Sequence, residues 1–409
     1  MKKSILKTLV IIIAAAVTAD AGAAGFALYQ GGAKGVALGG AVMGRSVDAS
    51  AVMYNPATMT DFTNTVITVG AIWEAPSMDT EVNGRSNGKM DPGIFTIPHV
   101  YLVQPLAWDL VFGLGIYAEY GLGSKYNSNW DMAWNTTETT VEGIVFNPNL
   151  AYKVTDKWSV AVGVRMMYLD FEQKSRPIVG FVPGYGAVQG YNHIEGDNNF
   201  SDWGWSFSSK YDVLDNFSVG VQYKSYIDTR VRGDQHLNAL GNKINGAAAG
   251  DIRLPQSVAA GFNWDIAEDW HFGGAVTWTD WGSIQDLTFK LPTGNKTVPL
   301  SWSETLRYSV GLGWDITDNV MLMASYVYDK CPCDTSTNEG STMLPAGDRN
   351  ICSFGAAYTW RNIEFSAMYG IVIMTGESQK YTDEIGRPYT FNTDNGVSHQ
   401  FGFSVTYRF

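Results

Sequence analysis

Gln400-Phe401-Gly402-Phe403-Ser404-Val405-Thr406-Tyr407-Arg408-Phe409 closes the sequence on a strict alternation. Phe401, Phe403, Val405, Tyr407 and Phe409 are large and apolar, while Gly402, Ser404, Thr406 and Arg408 are small or polar. A period of two places successive side chains on opposite faces of a strand, so this segment reads as a β-strand carried to its last, aromatic residue. Most chains end in a solvated, frayed tail. A terminal strand of this kind instead needs a partner strand that holds it.

The same alternation recurs from residue 63 onward. Val160, Val162, Val164, Met166 and Tyr168 interleave with Ala161, Gly163, Arg165 and Met167, and Leu306, Tyr308, Val310, Leu312 and Trp314 interleave with Arg307, Ser309, Gly311 and Gly313. One face is greasy. The other is mostly Gly, Ser, Ala and Thr, with occasional charges such as Arg165, Lys224, Arg307 and Glu364. A soluble sandwich would carry many Lys and Glu on its wet face, whereas a membrane barrel alternates lipid-facing apolar residues with small or polar lumen residues. Only 17% of residues are charged, against 44 Gly, 21 Tyr, 19 Phe and 14 Trp, a composition suited to a barrel with aromatic girdles.

The first residues place the chain outside the cytoplasm. Lys2, Lys3 and Lys7 precede an apolar run from Leu9 to Val17, and Ala21-Gly22-Ala23 forms an A-x-A site, so residues 1–23 read as a signal peptide cut before Ala24. The run is shorter than the ~20 residues that span a bilayer as a helix. Removing three Lys and one Asp from 28 basic and 40 acidic side chains leaves 25 and 39, a balance of −14. That charge argues against nucleic acid as a partner. No later stretch is long enough for a transmembrane helix, so a membrane-spanning mature chain has to be a closed barrel of strands.

Connections set the strand number. Short joints are expected at residues 108–110, 155–158, 214–217, 267–270, 317–320 and 360–363, and long polar connections at 77–95, 126–140, 173–202, 232–253, 292–300, 331–349 and 376–396. Six short turns alternating with seven long loops join fourteen antiparallel strands over residues 63–409. An even strand number, short periplasmic turns and long outer loops are the layout of outer-membrane barrels, and pairing of the last strand with the first explains the ordered aromatic terminus.

Residues 24–62 do not alternate and are rich in Gly and Ala. The piece Gly31-Gly32-Ala33-Lys34-Gly35 lacks the hydroxyl residue after Lys and the preceding strand that a phosphate loop requires. Small residues at this density permit close backbone packing, which suits a plug, or hatch, inside a barrel too wide for side chains alone to fill.

From Ala24, Gly25 and Phe26, through Asp48, Ala49 and the motif Asn55-Pro56-Ala57, the chain resembles the FadL family of long-chain fatty acid transporters of the Gram-negative outer membrane. The resemblance continues in Glu119-Tyr120-Gly121-Leu122, Trp203-Gly204-Trp205, Leu254-Pro255, Asp280-Trp281 and the terminal aromatic. It implies passive uptake of a long-chain fatty acid or similar hydrophobic molecule, captured at the outer loops and released sideways into the membrane lipid through a kink in the third strand. By this resemblance Phe26 is the aromatic of the substrate pocket, Asn55, Pro56 and Ala57 are the hatch motif packed at the kink, and Gly121 stands at the kink itself. The family's basic pocket residue falls nearest Lys174 and Arg176, and a second pocket lysine is replaced by Ser303. Uncharged aromatic hydrocarbons, carried by other family members, are therefore the alternative cargo.

Other classes fit less well. A general porin wants an open lumen with opposed charged rows and no plug; a barrel-borne lipid hydrolase wants a Ser and a His at one height facing lipid, which the five His do not offer in sequence. The implied barrel needs no cofactor and acts as a monomer. Cys331, Cys333 and Cys352 support no metal site, while one hairpin-spanning bridge from Cys352 to either of the other two stays open.

Overall fold

The alternating segments form a wall. The computed structural model describes residues 25–90, 93–184, 186–300, 302–333, 347–376, 378–382, 386–393 and 396–409, so the expected signal peptide lies outside the described residues. Fourteen barrel strands follow in chain order: strand 1 Val66–Val82, strand 2 Phe95–Pro105, strand 3 Leu110–Lys125, strand 4 Glu138–Thr155, strand 5 Trp158–Ser175, strand 6 Asp202–Leu214 and strand 7 Phe217–Lys224. Strand 8 is Ser257–Ala267, strand 9 Trp270–Thr279, strand 10 Thr305–Thr317, strand 11 Val320–Asp329, strand 12 Arg349–Trp360, strand 13 Ile363–Met374 and strand 14 Gly396–Arg408. Each pairs antiparallel with its neighbour, and strand 14 closes on strand 1 from Val66↔Arg408 to Ser77↔Val397.

Closure leaves no open edge, and the terminal stretch finds its partner. Phe401, Phe403, Tyr407 and Phe409 are 51%, 43%, 39% and 61% exposed, while Ser404 and Thr406 are fully buried. The apolar register thus faces outward, toward lipid, and the small polar register faces the lumen. On the inner face the Thr68 and Thr406 hydroxyls lie 2.9 Å apart across the closing seam.

The short turns fall where the sequence places them. Four of them are entered through a β-bulge, at Lys153/Thr155, Asp212/Leu214, Asp265/Ala267 and Asp315/Thr317, which tightens the local twist so that two residues suffice to reverse the chain. The long connections are more ordered than expected. Residues 232–253 lie in a hairpin, Ile227–Ala239 with Asn242–Leu254, reversed at Leu240 and Gly241, whose φ values are 52° and 82°. Tyr191–Asp197, Asp286–Leu291 and Gly294–Pro299 join it and carry the wall outward. Above the lipid much of both faces is wet, so the hydrophobic alternation that marks a strand disappears from the sequence while the backbone ladder persists.

Residues 25–62 lie inside the wall. They contain only short helical pieces, Ala33–Ala37, Ala51–Tyr54 and the 3-10 turn Pro56–Asp61. Their bonds reach strands all round the barrel: Ala33 N–H to Ser404 Oγ on strand 14 at 3.1 Å, Gly44 N–H to Asn263 Oδ1 on strand 8 at 2.7 Å, Ala57 N–H to Ser208 Oγ on strand 6 at 3.0 Å, and Lys34 to Glu364 on strand 13 at 3.0 Å. Wall glycines admit this backbone. A Cβ at Gly220 of strand 7 would stand 1.9 Å from the Met43 carbonyl oxygen.

Candidate functional site: a parted wall beside an apolar pocket

Strands 2 and 3 are paired from Pro105↔Val111 up to His99↔Tyr117 and no further. Strand 2 continues to Phe95 along strand 1, with Pro98, which has no N–H to offer a ladder, at the parting. Strand 3 shifts register against strand 4 between Ala118 and Tyr120, so Glu119 is a bulge residue. Below this point strand 3 alternates between more and less buried positions; from Ile116 to Ser124 every residue is buried. The upper part of strand 3 has turned into the lumen.

There it meets the start of the inner segment. The Leu28 N–H donates to the Glu119 carbonyl at 2.8 Å, the Gly121 N–H donates to the Phe26 carbonyl at 2.8 Å, and Ala27 forms an antiparallel bridge with Tyr120. Residues 26–28 thus supply the ladder that strand 2 no longer provides, as backbone accounting requires of a buried strand. Phe26 is 3% exposed and packs against Tyr120, Trp281 and Trp302, with ring centroids 5.6, 5.0 and 6.0 Å away. Gly25 permits this, since its φ is +63° and a Cβ would fall 2.3 Å from the Trp281 ring.

Over Phe26 lies an apolar cavity, about 740 Å³ of empty space partly open to solvent, walled by Leu122, Val141, Leu169, Phe171 and Phe289 among others. Its lining is that of a site for an apolar molecule. Glu119 accepts hydrogen bonds from Arg165 Nε at 3.0 Å and Nη2 at 2.7 Å and from Lys224 Nζ at 2.8 Å. All three residues are inward-facing, and two cations share one carboxylate.

The sequence expectations fare unevenly as geometry. Phe26 and Gly121 lie together at the parted strand. Asn55 and Pro56 do something else: the Asn55 side chain caps the turn by accepting from Ala57 N–H at 3.1 Å, Pro56 occupies the first turn position, and Asn55 Nδ2 donates to the Met43 carbonyl and to the Ser209 carbonyl on strand 6. The motif is therefore anchored to strand 6, and the kink is held by residues 26–28. Lys174 points outward, ion-paired with Glu172 at 2.9 Å and Glu138 at 3.4 Å. Arg176 lies past the end of strand 5, its N–H on the Ala133 carbonyl. Neither lines the apolar cavity, because even-numbered residues of strand 5 face outward. Arg165 and Lys224 carry the lumen's positive charge near Phe26 instead; the sequence marks them as charges in the small-residue register, and nothing local ties either to the pocket.

Some other groups come together. His99 Nε2 lies 2.9 Å from Ser404 Oγ, a contact the sequence did not reveal, but both are buried in the lumen, Ser404 Oγ also accepts from Ala33 N–H, and among the described residues no acidic or amide side chain bonds to His99 to form a triad. Among the described residues one group has metal-ligand spacing, Glu172, His193 and Glu195 within 4.8 Å, on the outer rim and already engaged with Lys174. Among the described residues none of the three cysteines is in a disulfide. Cys352 pairs with Tyr326 in the ladder, five positions below Cys331, a separation beyond the ~7 Å Cα spacing of a disulfide.

Residues 14–409 match the outer membrane protein transport protein family, OMPP1/FadL/TodX. The chain belongs to this family. Family relatives include the long-chain fatty acid transport protein of Salmonella typhi, 24% identical with 98% of each chain covered, and outer membrane protein P1 of Haemophilus influenzae, 23% identical with 100% of each covered. Among solved structures, a Pseudomonas aeruginosa FadL homologue superposes with a TM-score of 0.84 at 20% identity, covering 94% of this chain and 99% of that one. The P. putida toluene transporter TodX gives 0.71 at 16% identity over 92% and 98%. Family and fold together make this chain an outer-membrane transport barrel of a Gram-negative bacterium.

Proposed function

We propose that the barrel is a passive channel for long-chain fatty acids or comparable hydrophobic molecules, and that its cargo leaves sideways, between strands 2 and 3, into the membrane. The observation that carries this reading is the end of the strand 2–strand 3 ladder at His99↔Tyr117, with the edge of strand 3 that strand 2 leaves taken up by residues 26–28 while its other edge stays paired with strand 4. In it, residues 24–62 act as the hatch and Phe26 as the floor of the cargo pocket. Each methylene kept out of water is worth ~0.8 kcal/mol, so pushing a long acyl chain into the periplasm costs on the order of ten kcal/mol. Sideways exit into lipid avoids that cost.

The relatives' names divide between fatty acid and toluene. A fatty acid is favoured by two inward-facing cations that share the carboxylate of Glu119, the residue bonded to Leu28, since among the described residues neither Arg165 nor Lys224 has a second acidic partner within 4.0 Å. An uncharged aromatic cargo is the second reading, favoured by the almost wholly apolar lining of the cavity. Uptake of labelled oleate and of toluene by cells making Gly121→Glu tests both. The substituted side chain falls where strand 3 meets Phe26, so uptake is expected to drop to the level of cells without the protein, with normal heat-modifiability of the folded barrel. Uptake at the unmodified rate by the folded variant would mean another route.

A further inference from the structure

The wall comes apart at a second place. Strands 8 and 9 run together from Ala267↔Trp270 to Ser257↔Thr279, and one more bond joins their continuation, Asp280 N–H to the Gln256 carbonyl at 3.0 Å. Beyond it strand 8 leads through Pro255 into the outer strand Asn242–Leu254, while strand 9 breaks at the 3-10 turn Trp281–Ser283 and resumes as Asp286–Leu291. These outer strands pair only over Ala249–Asp251 with Thr288–Lys290. Residues 252–255 and 281–287 therefore face each other without a ladder, between a rung at Asp251↔Thr288 and a bond at Gln256–Asp280.

Residue chemistry accounts for the gap. Pro255 lacks an N–H, and the Gln285 carbonyl is taken by Leu300 N–H at 3.0 Å, so strand 9 at this height follows the segment leading into strand 10 rather than strand 8. Trp281 turns inward, 1% exposed, with its ring 5.0 Å from that of Phe26. The same aromatic that floors the pocket thus braces one side of the opening.

Two cavities meet there. Inside is the apolar pocket. Outside is a hollow of about 2090 Å³, open to solvent and bordered by Asp228, Arg230, Arg253, Gln285 and Asp286. Asp251 and Ile252 line both, so a single layer of side chains separates them. The hollow's rim is held by exposed ion pairs, Arg253 with Asp228 at 2.6 Å and Arg230 with Asp251, which contribute only ~0–1 kcal/mol each and yield readily to a competing anion. Behind the charged rim stand Ile252, Ile284 and Leu287.

We infer that the window between strands 8 and 9 is the way in: a single-chain amphiphile with an anionic head meets Arg230 and Arg253 at the rim and passes its tail across Ile252 into the pocket over Phe26. The inference rests on the reading of the barrel as a carrier of hydrophobic molecules and is independent of how cargo leaves.

Arg253→Cys with Asp286→Cys closes the window, since these positions would be partners two rungs below Asp251↔Thr288 if the ladder continued; the native cysteines are replaced by Ser. The association rate of a fluorescent long-chain fatty acid is measured on the purified barrel, oxidised and then reduced. Oxidation is expected to slow association about tenfold or more, leaving the number of sites unchanged, with recovery on reduction. An unchanged rate in protein shown by mass spectrometry to be bridged overturns the inference. If the pair does not bridge, Ser283→Trp fills the opening and is judged by the same rate. If the unmodified barrel binds no fatty acid, the carrier reading has failed for acids, and the same rates with a neutral apolar dye judge the window.

Discussion

Glu119 is the residue on which the parted wall turns. It sits at the bulge of strand 3, its carbonyl takes the Leu28 N–H and its carboxylate is shared by Arg165 and Lys224. The three charges sum to +1, Glu119 being, among the described residues, the only anion that offsets the two cations, and removing one partner of a buried pair costs ~3–5 kcal/mol. Glu119→Ala strands two cations, whereas Arg165→Met leaves Lys224 and Glu119 as a neutral pair. Urea unfolding in lipid vesicles, followed by tryptophan fluorescence, is expected to rank Glu119→Ala as the more destabilising, by about 2 kcal/mol or more. The reverse order would mean that the triad does not hold the kink.

Among the elements, the motif at Asn55 shows what a sequence resemblance can and cannot locate. Its residue types specify the local structure directly: an Asn whose side chain caps a turn, then a Pro whose missing N–H is one the turn leaves unbonded anyway. What they do not specify is which wall the turn leans on, because the bonds from Asn55 Nδ2 and Ala57 N–H go to Ser209 and Ser208, some 150 positions away along the chain. Lys174 faces outward for a related reason: one step in register separates the lumen face from the outer face, and resemblance by position does not fix that step. The strands themselves were legible wherever lipid enforces alternation, as in strand 14, and illegible in Ile227–Ala239 and Asn242–Leu254, where it does not. Asn55→Ala removes the cap, one bond to Met43 within the inner segment and one to Ser209 on the wall, and is expected to loosen the inner segment while the barrel persists. In planar bilayers the unmodified protein should pass little or no steady ion current, and Asn55→Ala should pass more; a large, stable current through the unmodified barrel would contradict the placement of residues 25–62 as a stopper.

For the whole molecule, closure of strand 14 on strand 1 fixes a rigid cylinder, so openings are confined to the places where neighbouring strands part. Strands 2 and 3 part at Tyr117 and strands 8 and 9 part at Asp280, and both partings touch Phe26, one through Gly121 and the other through Trp281. The inner segment's own bonds occupy the straight path down the axis. On the proposed route a molecule in the pocket leaves between strands 2 and 3 into lipid rather than down the axis. A photoactivatable long-chain fatty acid, activated during uptake in cells, tests this most directly by where its adducts fall. Adducts are expected on the facing edges of the parted strands, at Ile97, Tyr120 and Leu122. Adducts confined to the periplasmic mouth, at Arg45, Val47 and Asp318, with none on strands 2 and 3, would contradict sideways release.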